Sequence, residues 1–158
     1  MEHIKAKRTL DPATKIAVVY SRFNSMVTEQ LLEGAVDTVL RHGGEALNIS
    51  KVEVPGSYEM PIVVKKLLET GKYDGIICVG AVIRGGTPHF EFISSQVASG
   101  LTRVGLDAGV PVSFGVLTTD TVEQALDRSG LKAGNKGEEA ALALIETLSV
   151  INQISGDK

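Results

Sequence analysis

An α/β fold, a three-layer sandwich of one four-stranded parallel sheet with helices on both faces, is what this chain predicts. Three observations predict it. Short apolar runs recur four times along the 158 residues, and two of them, Ile16 to Tyr20 and Gly75 to Val79, are nearly unbroken, as in strands buried on both faces. Each run is followed by a stretch whose apolar residues keep helical spacing. Strict alternation of the two calls for crossover helices and hence parallel strands. The length suits one domain, residues 1–158.

Residues 1–14 have no period, and Asp11-Pro12 reads as a turn, so this arm is either frayed or paired with something outside its own domain. Lys15 to Tyr20 is the first strand, and Ser21 to Ser25 is a loop with capping residues. Val27, Leu31, Val36, Val39 and Leu40 place a helix over Met26 to Arg41. His42-Gly43-Gly44 stops it, with His42 suited to the negative end of the helix dipole, a structural role. Ala46 to Val54 is a second, more alternating strand. Pro55-Gly56-Ser57 ends it, and Ser57 is placed to cap a helix from Tyr58 to Thr70 with Pro61 in the tolerant first turn.

The third strand begins at Gly75 and leads into Gly80-Ala-Val-Ile-Arg-Gly-Gly-Thr-Pro-His-Phe-Glu91. Thr87 is placed to cap the next helix, Pro88 falls at its first position and His89 at its second, among N–H groups that favour an anion. That helix runs to about Ala108. Pro111 to Leu117 is the fourth strand. Asp120 and Glu123 resemble a capping box for a short helix ending at Arg128-Ser129-Gly130. After Leu131 to Gly134, Asn135 and Glu138 start a last helix to about Ile151, and 152–158 is expected to be a disordered tail.

Composition narrows the function. A net charge of −3, without a basic stripe interleaved with aromatics, argues against nucleic acid. The single Cys78 excludes an intrachain disulfide and reads as a buried hydrophobe. No His, Cys and carboxylate spacing suggests a metal site. The polar stretch Met1 to Arg8 is unlike a signal peptide, and no apolar run approaches a membrane span, so the expected location is the cytoplasm.

Ligands of open parallel sheets gather outside the carboxyl ends of the strands. Four loops leave that edge: Ser21 to Ser25, Pro55 to Tyr58, Arg84 to Thr87 and Thr118 to Thr121. Three carry something unusual: Phe23, a Pro-Gly-Ser-Tyr-Glu turn, and the helix start with His89. Gly80 to Thr87 echoes a phosphate loop without its lysine, which removes nucleotide hydrolysis but keeps backbone N–H groups for one phosphate. No Gly-x-Gly-x-x-Gly follows a strand, and Ser57 is in no nucleophile elbow. Phe23 is either loop packing or a stacking platform. Arg128 suits the end of its helix dipole and Lys136 the solvent. The helix to Arg128 runs about 12 Å back from the ligand edge, at roughly 1.5 Å per residue, so a phosphate bound by Arg128 is more easily one held by a neighbouring subunit. Phe114, in mid-strand, invites the same reading.

Taken together, Arg22-Phe23-Asn24, Val54-Pro55-Gly56-Ser57-Tyr58-Glu59, Gly80 to Phe90, Phe114-Gly115-Val116 and Gly134-Asn135-Lys136-Gly137 resemble the lumazine synthase family, over nearly the whole chain and in order. The densest match is Ile83 to Phe90. The resemblance implies the penultimate step of riboflavin synthesis, a cofactor-independent condensation of 5-amino-6-(D-ribitylamino)pyrimidine-2,4-dione with 3,4-dihydroxy-2-butanone 4-phosphate. It implies that Phe23 stacks on the pyrimidine, and that Ser57, Tyr58, Glu59, Ala81, Val82 and Ile83 line the pyrimidine and ribityl pocket. Gly86 and Thr87 would hold the phosphate with Arg128, and His89 would transfer protons. Phe114, Arg128 and Lys136 would come from the adjacent subunit. Tyr58 stands where many relatives carry tryptophan, and Glu138 where some carry an aromatic. The resemblance further implies a pentamer, with the short hinge Gly130 to Asn135 of the shell-forming type, the arm 1–14 added to a neighbour's sheet, and riboflavin synthase as a partner. Two rivals share the sheet: a flavodoxin-like module that holds a flavin without turnover, and a shell-forming scaffold whose catalysis is incidental.

Overall fold

The computed structural model describes residues 1–156. In chain order the elements are β1 (Ile16–Ser21), α1 (Ser25–Arg41), β2 (Ile49–Val54), α2 (Met60–Glu69), β3 (Gly75–Ile83), α3 (His89–Ala108), β4 (Val112–Thr119), α4 (Val122–Asp127) and α5 (Lys136–Ser155). The four strands form one parallel sheet in the order β2-β1-β3-β4. The central strands β1 and β3 are the two unbroken apolar runs, because both of their faces are covered.

Side chains alternate across the sheet with the period of two that strands impose. Ile16 and Val18 of β1, with Ile77 and Val79 of β3, pack against Leu31, Ala35 and Val39 of α1 and Ala141 and Leu144 of α5. Ala17, Val19, Ile76 and Cys78 point the other way, onto Met60 and Val64 of α2 and Val97 and Leu101 of α3. The result is the three-layer sandwich that the alternation predicts. α3 has 20 residues, yet Val97 and Leu101 are its buried ones, and Phe92 and Leu106 stand exposed.

Local chemistry moves several expected boundaries. Residues Ala46–Asn48 form a 3-10 turn, so the second strand starts at Ile49 rather than Ala46. Ser57 does not cap α2; it lies in a 3-10 turn, Ser57–Glu59, and the helix proper begins at Met60. α3 begins at His89 with Pro88 as its flanking residue and no side-chain cap, so Thr87 does not cap it. β4 continues two residues past Leu117, which shifts the next cap from Asp120 to Thr121: the Thr121 hydroxyl accepts from the Gln124 N–H at 3.1 Å. The last helix continues through Ser155 rather than stopping at Ile151, with Gly156 as its left-handed cap, so the expected disordered tail is helical over 152–155. The remainder of that expectation, 157–158, lies outside the described residues.

His42 closes α1, its ring nitrogen Nδ1 2.7 Å from the Thr38 carbonyl. Within the arm, residues 5–8 run beside α5 of the same chain, and the Leu10 N–H donates to the His42 carbonyl at 2.8 Å. The Lys7 N–H donates to the Ser149 hydroxyl at 3.0 Å, and Gln153 donates to the Lys5 carbonyl at 2.9 Å.

Candidate active site

The register of the sheet decides which loops meet. Ser21 pairs with Val54, and Tyr20 with Val79, so the first two strands end level with Gly80. The Arg22 and Phe23 N–H groups donate to the carbonyls of Val54 and Pro55 at 2.8 and 3.0 Å, zipping the first loop to the second. Asn24 takes a left-handed backbone (φ 63°), which an asparagine tolerates better than most residues, and its side-chain amide donates to the Ala81 carbonyl at 3.0 Å. Phe23 thereby has its backbone fixed to the second loop while its side chain is left 61% exposed.

Two glycines are required by close approach. A Cβ on Gly56 would come 2.8 Å from the Phe23 ring and 3.0 Å from a Glu59 carboxylate oxygen. A Cβ on Gly80 would come 2.6 Å from the Ser57 hydroxyl and 2.9 Å from that of Ser21. Phe23, Ser57, Glu59 and the Gly80-Ala81 end of β3 therefore form one group. Ser57 and Ala81 are buried beneath it, Val82 and Ile83 are half-buried, and Tyr58 is exposed.

Gly85 and Gly86 behave differently. Neither has a positive φ, and a Cβ on either would meet nothing within 4 Å among the described residues. Nothing in this chain's own packing demands glycine there, whereas a partner approaching the backbone N–H groups would. Thr87 is exposed beside them, and His89, first residue of α3, stands exposed in the turn whose N–H groups lack helical partners.

Sequence reasoning missed what holds this loop. Arg84 donates from Nε to Asp120 at 2.8 Å and from its terminal nitrogen to Glu91, and its guanidinium lies 4.2 Å from the centre of the Phe90 ring. The hydrogen bond from Arg84 holds the Glu91 carboxyl below its ordinary range, and the same bond, with that to Asp120, raises Arg84. The Arg84 N–H also donates to the Thr119 carbonyl at 2.8 Å. Charges seven residues apart on the chain give a weak signal, and Asp120 gives none at all.

The remaining expected residues form a second group, beyond the edge strand. Phe114 pairs with Cys78, three residues before the Ala81–Leu117 pair, hence about 10 Å down the sheet at roughly 3.3 Å per residue. With Ser113, Lys136, Glu139 and Ala140 it lines an open groove of 460 Å³ between β4 and α5. Lys136 is paired with Glu139, and its N–H donates to the Arg128 carbonyl at 2.9 Å. Arg128 is exposed at the end of α4, its guanidinium donating to the Gln124 carbonyl at 3.1 Å. The fold thus brings Phe23, Ser57, Glu59 and Ala81 together, and gathers Phe114 and Lys136 at a second place, with Arg128 joined to Lys136 through the backbone; β3 lies between β1, which leads to Phe23, and β4, which carries Phe114.

Cys78 lies wholly within the core, where burial pushes its thiol far above the ordinary range, so it is no nucleophile. Among the described residues no group of three or more His, Cys, Asp or Glu is placed to hold a metal ion, and no helix is long and apolar enough to cross a membrane.

Open parallel sheets take small molecules at the carboxyl ends of their strands, and an exposed aromatic ring, a bare stretch of backbone N–H and an imidazole stand at that edge of this α/β protein. Comparison with known proteins is more specific. The family described as 6,7-dimethyl-8-ribityllumazine synthase matches residues 13–152. Proteins of that name from Campylobacter jejuni subsp. doylei and Campylobacter lari are 51% and 52% identical over 154 residues, covering 98% of this chain and 100% and 99% of their own lengths. The chain belongs to the 6,7-dimethyl-8-ribityllumazine synthase family.

Proposed function

We propose that this chain condenses 5-amino-6-(D-ribitylamino)pyrimidine-2,4-dione with 3,4-dihydroxy-2-butanone 4-phosphate to 6,7-dimethyl-8-ribityllumazine, the penultimate step of riboflavin synthesis, without a cofactor. Family membership over nearly the full chain supports the reaction. The observation that carries the site is the bare Gly85-Gly86 backbone leading into His89.

Phe23 stacks on the pyrimidine ring, and Ser57, Tyr58, Glu59, Ala81, Val82 and Ile83 line the pyrimidine and ribityl pocket. Gly86 and Thr87 offer N–H groups to the phosphate at a helix start, where an anion is favoured. The aromatic amine attacks the ketone, water leaves to form an imine, phosphate is eliminated, and closure of the second ring releases a second water. Each step moves a proton, and His89, beside both the amine and the departing phosphate, is the group to move it. Holding two substrates in register supplies much of the remaining acceleration.

Phe114, Arg128 and Lys136 serve the site of an adjacent subunit. The place of Phe114 supports this: it lies across β3 from β1, the strand that leads to Phe23, and about 10 Å down the sheet, roughly three residues of rise. The assembly proposed is a pentamer, extended to a closed shell of pentamers by the short hinge, with the arm added to a neighbour's sheet and riboflavin synthase as a partner. The proposed location is the cytoplasm.

Mixing the protein with both substrates and following lumazine fluorescence tests the reading. His89→Ala should slow turnover by about 10²- to 10⁴-fold, the range for lost acid–base catalysis. Arg128→Ala should chiefly raise the KM for the phosphorylated ketone. An unchanged rate in the first, or an unchanged KM in the second, removes that residue's role, and light scattering decides the assembly.

A further inference from the structure

Between the exposed end of α4 and the first turn of α5 the chain folds back on itself, and Asn135, 9% exposed, sits inside the turn. Its Oδ1 accepts from the N–H groups of Gly137 at 2.8 Å and Glu138 at 3.3 Å, capping α5. Its Nδ2 donates to the Ser129 carbonyl at 3.2 Å and, across to α1, to the Gln30 carbonyl at 3.0 Å. Both lone pairs and both hydrogens of the amide are used.

A helix cap needs an oxygen alone, and serine, threonine or aspartate supplies one as well. The two donated bonds need an amide, and they do something a cap does not. One closes the turn that ends with the Lys136 N–H on the Arg128 carbonyl, beside the antiparallel bridge between Ser129 and Asn135. The other ties that turn to α1. The approach is tight: a Cβ on Gly34 would lie 2.6 Å from Nδ2.

We infer that Asn135 is a positioning residue for the condensation, setting Arg128 and Lys136 side by side so that both cations reach one anionic substrate. The inference rests on the reading that Arg128 serves the phosphorylated substrate, and adds Lys136 beside it. Each side chain holds only an exposed partner of its own helix, Arg128 the Gln124 carbonyl and Lys136 the Glu139 carboxylate, so what joins the two is the backbone turn. Lengthening that turn by the loss of two hydrogen bonds separates the cations without removing either.

Asn135→Ser keeps a capping oxygen and loses the reach to both carbonyls. Steady-state kinetics should show the KM for 3,4-dihydroxy-2-butanone 4-phosphate rising about tenfold, the scale of one weakened charge-assisted contact. The inhibition constant of inorganic phosphate should rise in parallel, with the KM of the pyrimidinedione unmoved. Should Asn135→Ser fail to assemble, Gly34→Ala, which keeps the amide but presses on it from α1, should shift the same two constants in the same direction. A fall in kcat with both constants unchanged, in whichever variant folds, overturns the inference and leaves a helix cap. Arg128→Ala measured alongside separates the failures. If it raises the KM and the Asn135 and Gly34 variants do not, the positioning role alone is wrong. If it leaves the KM unchanged, the assignment of Arg128 to the phosphate is wrong and the inference falls with it.

Discussion

The turn that opens α3 and the turn that opens α5 both present a titratable or charged side chain at a helix start, and they are held by opposite means. Around His89 the restraints are exposed charges: Arg84 bridging Glu91 and Asp120. Around Lys136 they are neutral hydrogen bonds of one buried amide. The glycines follow the same division. Gly85 and Gly86 face open space, whereas a Cβ on Gly137 would sit 1.9 Å from the Leu31 carbonyl oxygen. Exposed ion pairs contribute little to stability and yield to salt, but they let a loop adjust to what it binds. A saturated buried amide does not adjust, and it makes its neighbourhood intolerant of a single added methyl.

The largest effect expected from this contrast is on Gly137. Gly137→Ala should destabilise the protein by about 3 kcal/mol or more, since the helix must move off α1 and overpacking of that kind is typically worth 1–3 and occasionally more. Urea denaturation measures it, and an unchanged midpoint would break the comparison at its rigid end. Next comes Arg84→Gln, which should leave the denaturation midpoint nearly in place yet raise the KM for the phosphorylated ketone severalfold at low salt. The difference between variant and parent should shrink near 1 M salt, where screening acts within about 3 Å and the bridge is already weakened. A difference independent of salt would mean that Arg84 acts by packing on Phe90.

The smallest effect is one of pH. Because Arg84 holds Glu91 below its ordinary 4.5, the bridge contributes in full above that pH and is lost as pH falls through the lower folded-state value. Amide exchange, corrected for its intrinsic rate, should therefore quicken over residues 84–92 below pH 4.5 while 129–137 stays protected. Equal quickening in both segments would erase the distinction.

Some of the site was legible along the chain because its signals are local. Thr-Pro-His after a buried strand marks a helix start, and Asn135 before Lys136 and Glu138 marks a cap, since both depend on groups within a few residues. Where a local signal had two competing sites, the choice was open. Thr121 rather than Asp120 caps α4, because pairing with β3 carries β4 on to Thr119 and Asp120 turns to Arg84 instead.

Sequence by itself determined that there are four strands, that two of them are buried on both faces and that all run parallel, because a period of two or of 3.6 residues records which side of an element leaves water. Tertiary structure alone decided which groups meet: Arg84 with Asp120, 36 residues away, Asn24 with Ala81 at 57, and Asn135 with Gln30 at 105. Hydrophobic periodicity carries no register between distant segments. Once the sheet fixes that register, polar atoms far apart in the chain fall within 3 Å of one another, and the site is made of those coincidences.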